Sequence, residues 1–162
     1  MTTFFTIGYE GLDPKRFFTL LNQCEVQMLV DVRDLPISRK KGFSKSALAT
    51  LCEENGIEYL HLPALGCPKE IRHPYREDGD WAKYTVRFKA YLRGQGDAVT
   101  EVAQLAAEHR ICLLCFEEDF NFCHRTYVAE FAAIKIGGPV RISHLTGPIK
   151  GRVVGMREAE AA

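Results

Sequence analysis

Short apolar runs alternate with stretches of helical spacing along most of the chain. Residues 3–8 (TFFTIG) read as a first strand ending in a glycine. Asp13-Pro14 then supplies an N-cap and a proline at the first helical position, and Phe17, Phe18, Leu21 and Cys24 follow at helical intervals. Residues 27–32 (QMLVDV) read as a second strand. Ser44 opens a helix carrying Ala47, Leu48, Leu51 and Cys52, which Gly56 stops. A third strand covers 57–62, a fourth 111–116 and a fifth 140–145. Between the third and fourth, Trp81, Tyr84, Phe88, Tyr91 and Leu92 mark an amphipathic helix whose aromatic stripe reads as core. Val99, Val102, Ala103 and Ala106 mark another. A helix over about 124–136 ends at Gly137-Gly138. Residues 66–80, rich in proline, glycine and charge, read as a long surface loop.

Nearly continuous apolar strands separated by helices predict an α/β fold. The sheet is doubly wound, mainly parallel and five-stranded, with helices on both faces in the Rossmann-like manner. One domain is placed at residues 1–146. Residues 147–162 form a C-terminal extension that frays from Glu158 to Ala162, while Val153, Val154 and Met156 fit either an extra strand or a partner contact.

Lys and Arg total 21 and Asp and Glu total 21, a balance that argues against a strong non-specific nucleic-acid binder. No apolar run is long enough to span a bilayer, and the N-terminus lacks the basic segment of a signal peptide, so a cytoplasmic protein without a membrane partner is expected. Six cysteines in a chain this long and aliphatic point to reduced thiols rather than a disulfide scaffold. Cys24 and Cys52 read as small buried hydrophobes on helices.

In a doubly wound fold, ligands sit beyond the carboxyl ends of the strands, where the strand order reverses. The polar residues gather there: Gly8, Tyr9, Glu10 and Gly11 after the first strand, and Asp31, Arg33, Ser38 and Arg39 after the second. His61 lies on the third strand and His144 on the fifth. Glu117, Cys123, His124 and Arg125 follow the fourth. With an order 3-2-1-4-5, Glu10, Glu117 and Cys123 share one crevice. This set of blocks resembles the bacterial family known as domain of unknown function 488. The resemblance rests on TIGYEG at 6–11, VDVR at 30–33, YLHLPALG at 59–66, LCFE at 114–117 and CHR at 123–125. It implies a Rossmann-like fold and no particular reaction.

Arg33, Arg39 and Arg125 are candidate grips for a phosphate or carboxylate, because a planar guanidinium donates two parallel hydrogen bonds. Gly8, Tyr9, Glu10, Asp31 and His61 complete the expected ligand-binding set. Cys123 at a helix start beside His124 and Arg125 is the candidate nucleophile, with His124 and Glu117 as acid–base groups. The alternative for the arginines is internal pairing with Asp31, Glu10 or Glu117, and for His61 and His144 a hydrogen-bonded place in the core. A metal site could be assembled from Cys115, Cys123 and His124 with His61 or His144. The spacing lacks the paired knuckles of structural zinc sites, however, and neither metal nor cofactor is assigned. The loop Ser38–Phe43 combines basic residues with an aromatic that could stack on a base. The expectation is a pocket for a phosphorylated small molecule or a nucleic-acid end. Whether a reaction follows stays open, beside two alternatives: a non-catalytic nucleic-acid-associated module and a cysteine-based redox sensor.

Overall fold

The computed structural model describes residues 1–146 and a last strand at 153–159. Residues 147–152 and 160–162 of the expected C-terminal extension lie outside the described residues. Five parallel strands, β1 (Thr2–Gly8), β2 (Met28–Asp31), β3 (Glu58–His61), β4 (Ile111–Cys115) and β5 (Val140–Leu145), form the sheet. A sixth strand, β6 (Val153–Ala159), pairs antiparallel with β5. The order is β3-β2-β4-β1-β5-β6. The expected order 3-2-1-4-5 is therefore corrected: β4 inserts between β2 and β1. Both β1 and β4 are apolar enough for the centre of the sheet, so apolarity could not decide which of them neighbours β2. β1 and β4 are adjacent in either order, so the residues that follow them still meet.

Alternation along the strands divides the core in two. Phe4, Val30, Leu113 and Ile142 face one layer, and Phe5, Leu29, Cys112 and Leu114 the other. Helices α1 (Pro14–Gln23) and α2 (Lys45–Glu54) cover the second face with Phe17, Leu21, Leu48 and Cys52. Asp13 caps α1 through the Arg16 N–H. The first face is covered by α4 (Trp81–Arg93), α5 (Gly96–Glu108) and α6 (His124–Ile136), through Phe88, Leu92, Val102 and Val128.

The segment expected as a surface loop instead holds helix α3 (Lys69–Asp78), with Pro74 inside it. An internal proline costs a helix about 3 kcal/mol. Packing offsets this cost: Tyr75 meets Trp81 and Tyr84 at ring-centroid distances of 5.3 and 5.1 Å. Gly79 then turns the chain with φ of 62°, and Asp80 caps α4. Cys67, expected in that exposed loop, is buried. Cys24, expected to be buried, is half-exposed at the end of α1. No helix among the described residues is long and apolar enough to cross a membrane.

Candidate functional site

The residues after β2 form a closed polar network. Asp31 is fully buried and receives Arg33 through Nε to Oδ1 (2.9 Å) and Nη2 to Oδ2 (2.7 Å). Arg33 Nη1 donates to the Phe43 carbonyl (2.6 Å), and the Tyr59 hydroxyl donates to Asp31 Oδ2. Burial, reinforced by Asp31, pushes the Tyr59 hydroxyl pKa well up, which keeps it a donor. His61 Nε2 donates to the Arg33 carbonyl (2.7 Å). Tyr9 lies flat on Phe43, with centroids 4.6 Å apart. Phe43 is fully buried, so its ring stacks within the protein and offers no face to a base. Asp31, Arg33 and His61 thus satisfy one another.

A second network joins the ends of β1 and β4. Arg125, fully buried on the first turn of α6, donates from Nε to Thr6 Oγ1 (3.0 Å), from Nη1 to the Glu117 carbonyl and from Nη2 to the Glu118 carbonyl (3.3 Å). Thr6 Oγ1, already an acceptor, is left to donate to His144 Nδ1 at 2.6 Å. Glu10 accepts the Glu118 N–H (3.0 Å). A Cβ on Gly8 would fall 1.7 Å from the Glu117 carbonyl oxygen, so only glycine lets the two strand ends pass. Arg125, Glu10 and Gly8 therefore shape the turn carrying Glu117.

Between these networks opens a crevice of about 940 Å³. Its floor is Cys115, Glu117, Cys123 and His124, from the end of β4 and the start of α6. Cys115 Sγ lies 3.3 Å and Cys123 Sγ 3.4 Å from the same Glu117 Oε2, and Cys115 Sγ lies 3.6 Å from His124 Nδ1. His124 Nε2 donates to the Val32 carbonyl (2.7 Å), which turns Nδ1 towards the sulfurs. The two sulfurs and Nδ1 all fall within 4.8 Å of one another, a set able to hold a metal ion.

The four groups oppose one another electrostatically. Burial pushes the Cys123 thiol up, but the Cys115 S–H, Arg125 and His124 outweigh it and hold Cys123 well below the ordinary thiol range. Its hydrogen bond to Cys123, then burial, keeps the Cys115 thiol protonated. Burial and the Cys123 charge push the Glu117 carboxyl up. Burial works against a charge on His124, yet the hydrogen bond and charge of Cys123 raise it on balance.

The walls are mixed. Arg39 and Arg76 are exposed at the rim and make no ion pair or hydrogen bond among the described residues. Arg72 is tied to Asp34 (3.2 Å) and to the Cys67 carbonyl (2.9 Å). Leu35, Ile37, Phe116 and Phe122, four of the large exposed apolar side chains, border the same crevice.

Cys123, His124 and Glu117 therefore meet at the floor, with Tyr9 and Arg33 in the wall and Arg39 at the rim. Gly8, Glu10, Asp31, His61 and Arg125 support the site from outside the crevice lining. Sequence reasoning left Arg72, Arg76 and Trp81 out of the site and named Cys115 only as a possible metal ligand. Cys115 was legible as a strand-end residue two before Glu117. The i, i+4 spacing of Arg72 and Arg76 gains meaning only once their segment is known to be helical. A family model described as "Domain of unknown function DUF488" matches residues 13–132. No curated protein and no solved structure matches the chain.

Proposed function

The chain belongs to the DUF488 family, whose description names no activity, and we propose from the site itself that it binds an anionic ligand of the nucleotide class in this crevice and acts on it through Cys123, His124 and Glu117. The observation that carries the reading is the crevice lining, where unpaired Arg39 and Arg76 share one crevice with exposed Phe116 and Phe122 and with the Cys115–Glu117–Cys123–His124 floor. A free guanidinium takes a phosphate through paired charged hydrogen bonds. An exposed aromatic offers a base its stacking face. Arg33 and Arg125 give no such support, because their donors are occupied within the protein. Anion binding therefore rests on Arg39, one of the three expected arginines, and on Arg76. At the floor, Cys123 is the nucleophile, His124 holds its charge and Glu117 carries protons.

Calorimetric titration with inorganic phosphate, a nucleoside monophosphate and a short single-stranded oligonucleotide tests the reading. The monophosphate should bind more tightly than phosphate alone. Removing Arg39 or Arg76 should weaken it about tenfold each, the worth of one charged hydrogen bond. Binding that ignores both arginines would overturn the reading. Binding of the oligonucleotide alone would favour a nucleic-acid module.

A further inference from the structure

We propose that the crevice floor is a zinc site, with Cys115 Sγ, Cys123 Sγ and His124 Nδ1 as ligands and the fourth position open to the crevice. The argument is first geometric. Zinc bound tetrahedrally at about 2.3 Å to sulfur and about 2.0–2.1 Å to nitrogen or oxygen places a sulfur about 3.5 Å from a neighbouring nitrogen or oxygen ligand. The Cys115 Sγ to His124 Nδ1 distance is 3.6 Å, and the two sulfurs and the imidazole nitrogen all lie within 4.8 Å of one another, so a small closure of the three brings them round one ion.

The orientation of His124 agrees. Its Nε2–H is fixed on the Val32 carbonyl at 2.7 Å, the outer hydrogen bond that metal-binding histidines make, and its Nδ1 then points at the sulfurs. The ligand types agree too, because sulfur and imidazole suit zinc better than magnesium or calcium. Two thiolates carry the charge that a divalent ion neutralises. Metal entry expels two protons to solvent, that of the Cys115 thiol and the Nδ1 proton that His124 holds against Cys123. Cys115, Cys123 and His124 are buried at the crevice floor, and Glu117, half-exposed beside the two sulfurs, is an outer carboxylate. The site differs from paired-knuckle zinc sites because Cys123 and His124 are consecutive and the third ligand comes from a strand end eight residues earlier.

The inference goes beyond the proposed function: it shares the anion-binding rim and describes the metal-loaded state of the same floor, in which Cys123 is a ligand and not a nucleophile.

The test is titration of the full, reduced, metal-free chain with Co²⁺. Saturation at one equivalent is expected, with sulfur-to-cobalt charge transfer in the near ultraviolet, tetrahedral d–d bands in the visible and displacement of both by Zn²⁺. Cys115→Ser and Cys123→Ser should each lose about half of the charge-transfer intensity, whereas Cys24→Ser should lose none. Glu117→Gln should keep the stoichiometry and both sets of bands. A second measurement on the unmutated chain covers variants that fail to fold: Zn²⁺ should protect Cys115 and Cys123 together from alkylation and leave Cys67 unprotected. A folded chain without the sulfur-to-cobalt bands, or bands undiminished in Cys123→Ser, would overturn the zinc site. Metal uptake and anion binding are separate readouts. Loss of the first alone defeats this inference, and loss of the second alone defeats the proposed function.

Discussion

Two charged assemblies sit at the carboxyl ends of neighbouring strands, and they are built in opposite ways. At the end of β2, Asp31, Arg33, Tyr59 and the Phe43 carbonyl form a network in which each donor has an acceptor. At the end of β4, two sulfurs share one carboxylate oxygen, and one of them also touches an imidazole. The first assembly spends its charge on holding β2 to the segment after it. In the second, titratable groups outnumber their partners and shift one another's proton affinities, which is the condition that favours chemistry or a metal. Formal charge alone does not separate the two. What separates them is whether that charge is satisfied within the fold.

The comparison breaks if the two assemblies respond alike to mutation. Arg33→Ala leaves the Asp31 carboxylate buried and unpaired, and should cost about 3–5 kcal/mol. Cys123→Ser nearly conserves volume and should cost on the order of 1 kcal/mol. Urea unfolding followed by circular dichroism measures both, and equal losses would erase the distinction. Gly8→Ala sharpens it. The added Cβ collides with the Glu117 carbonyl, so a cost of about 1–3 kcal/mol is expected, with displacement of the β4 end. The same variant should slow alkylation of Cys123, which shows that the β1–β4 splice positions the floor. The smallest stability effect belongs to the rim. Arg39→Ala and Arg76→Ala should stay within about 0.5 kcal/mol of the parent chain. Their anion affinity should nevertheless fall. A large stability loss at either position would mean that the rim arginines are structural like Arg33.

Apolar patterning carried most of the fold, because five strands and five helices each bury a face whose period shows in the sequence. Two features escaped it. The place of β4 beside β2 depends on how crossovers pack, which no single strand encodes. Helix α3 breaks the local rule against an internal proline, and its warrant is the contact of Tyr75 with Trp81 and Tyr84 from the next helix. In the site, Cys123, His124 and Glu117 were legible from their position after a strand and at a helix start. The arginines were harder to read. Arg33, Arg39 and Arg125 look equivalent as letters, yet burial makes two of them internal struts and leaves one at the rim. Lys40 and Phe43 were misleading for the same reason: Lys40 Nζ donates to the Tyr9 carbonyl (3.1 Å) and Phe43 is sealed beneath Tyr9.

The central claim is that the floor assembly is reactive because of its charge arrangement, and Cys67 supplies the control for it. Cys67 and Cys123 are almost equally buried, at 4% and 2% exposed, and both line the crevice, so a small reagent meets similar access at each. Burial pushes the Cys67 thiol up to about 11, which leaves roughly one part in ten thousand as thiolate at pH 7. Cys115, Arg125 and His124 hold Cys123 well below the ordinary thiol range against the same burial. A lower pKa reduces intrinsic nucleophilicity, but offsets only part of so large a difference in thiolate fraction. The deciding measurement is site-resolved alkylation of the metal-free chain by iodoacetamide, quantified by mass spectrometry across a pH series. The account predicts that Cys123 labels first of the six cysteines and keeps its rate on the acidic side of neutrality, while labelling of Cys67 rises only as pH approaches 11. Equal rates at the two positions, climbing together with pH, would contradict it.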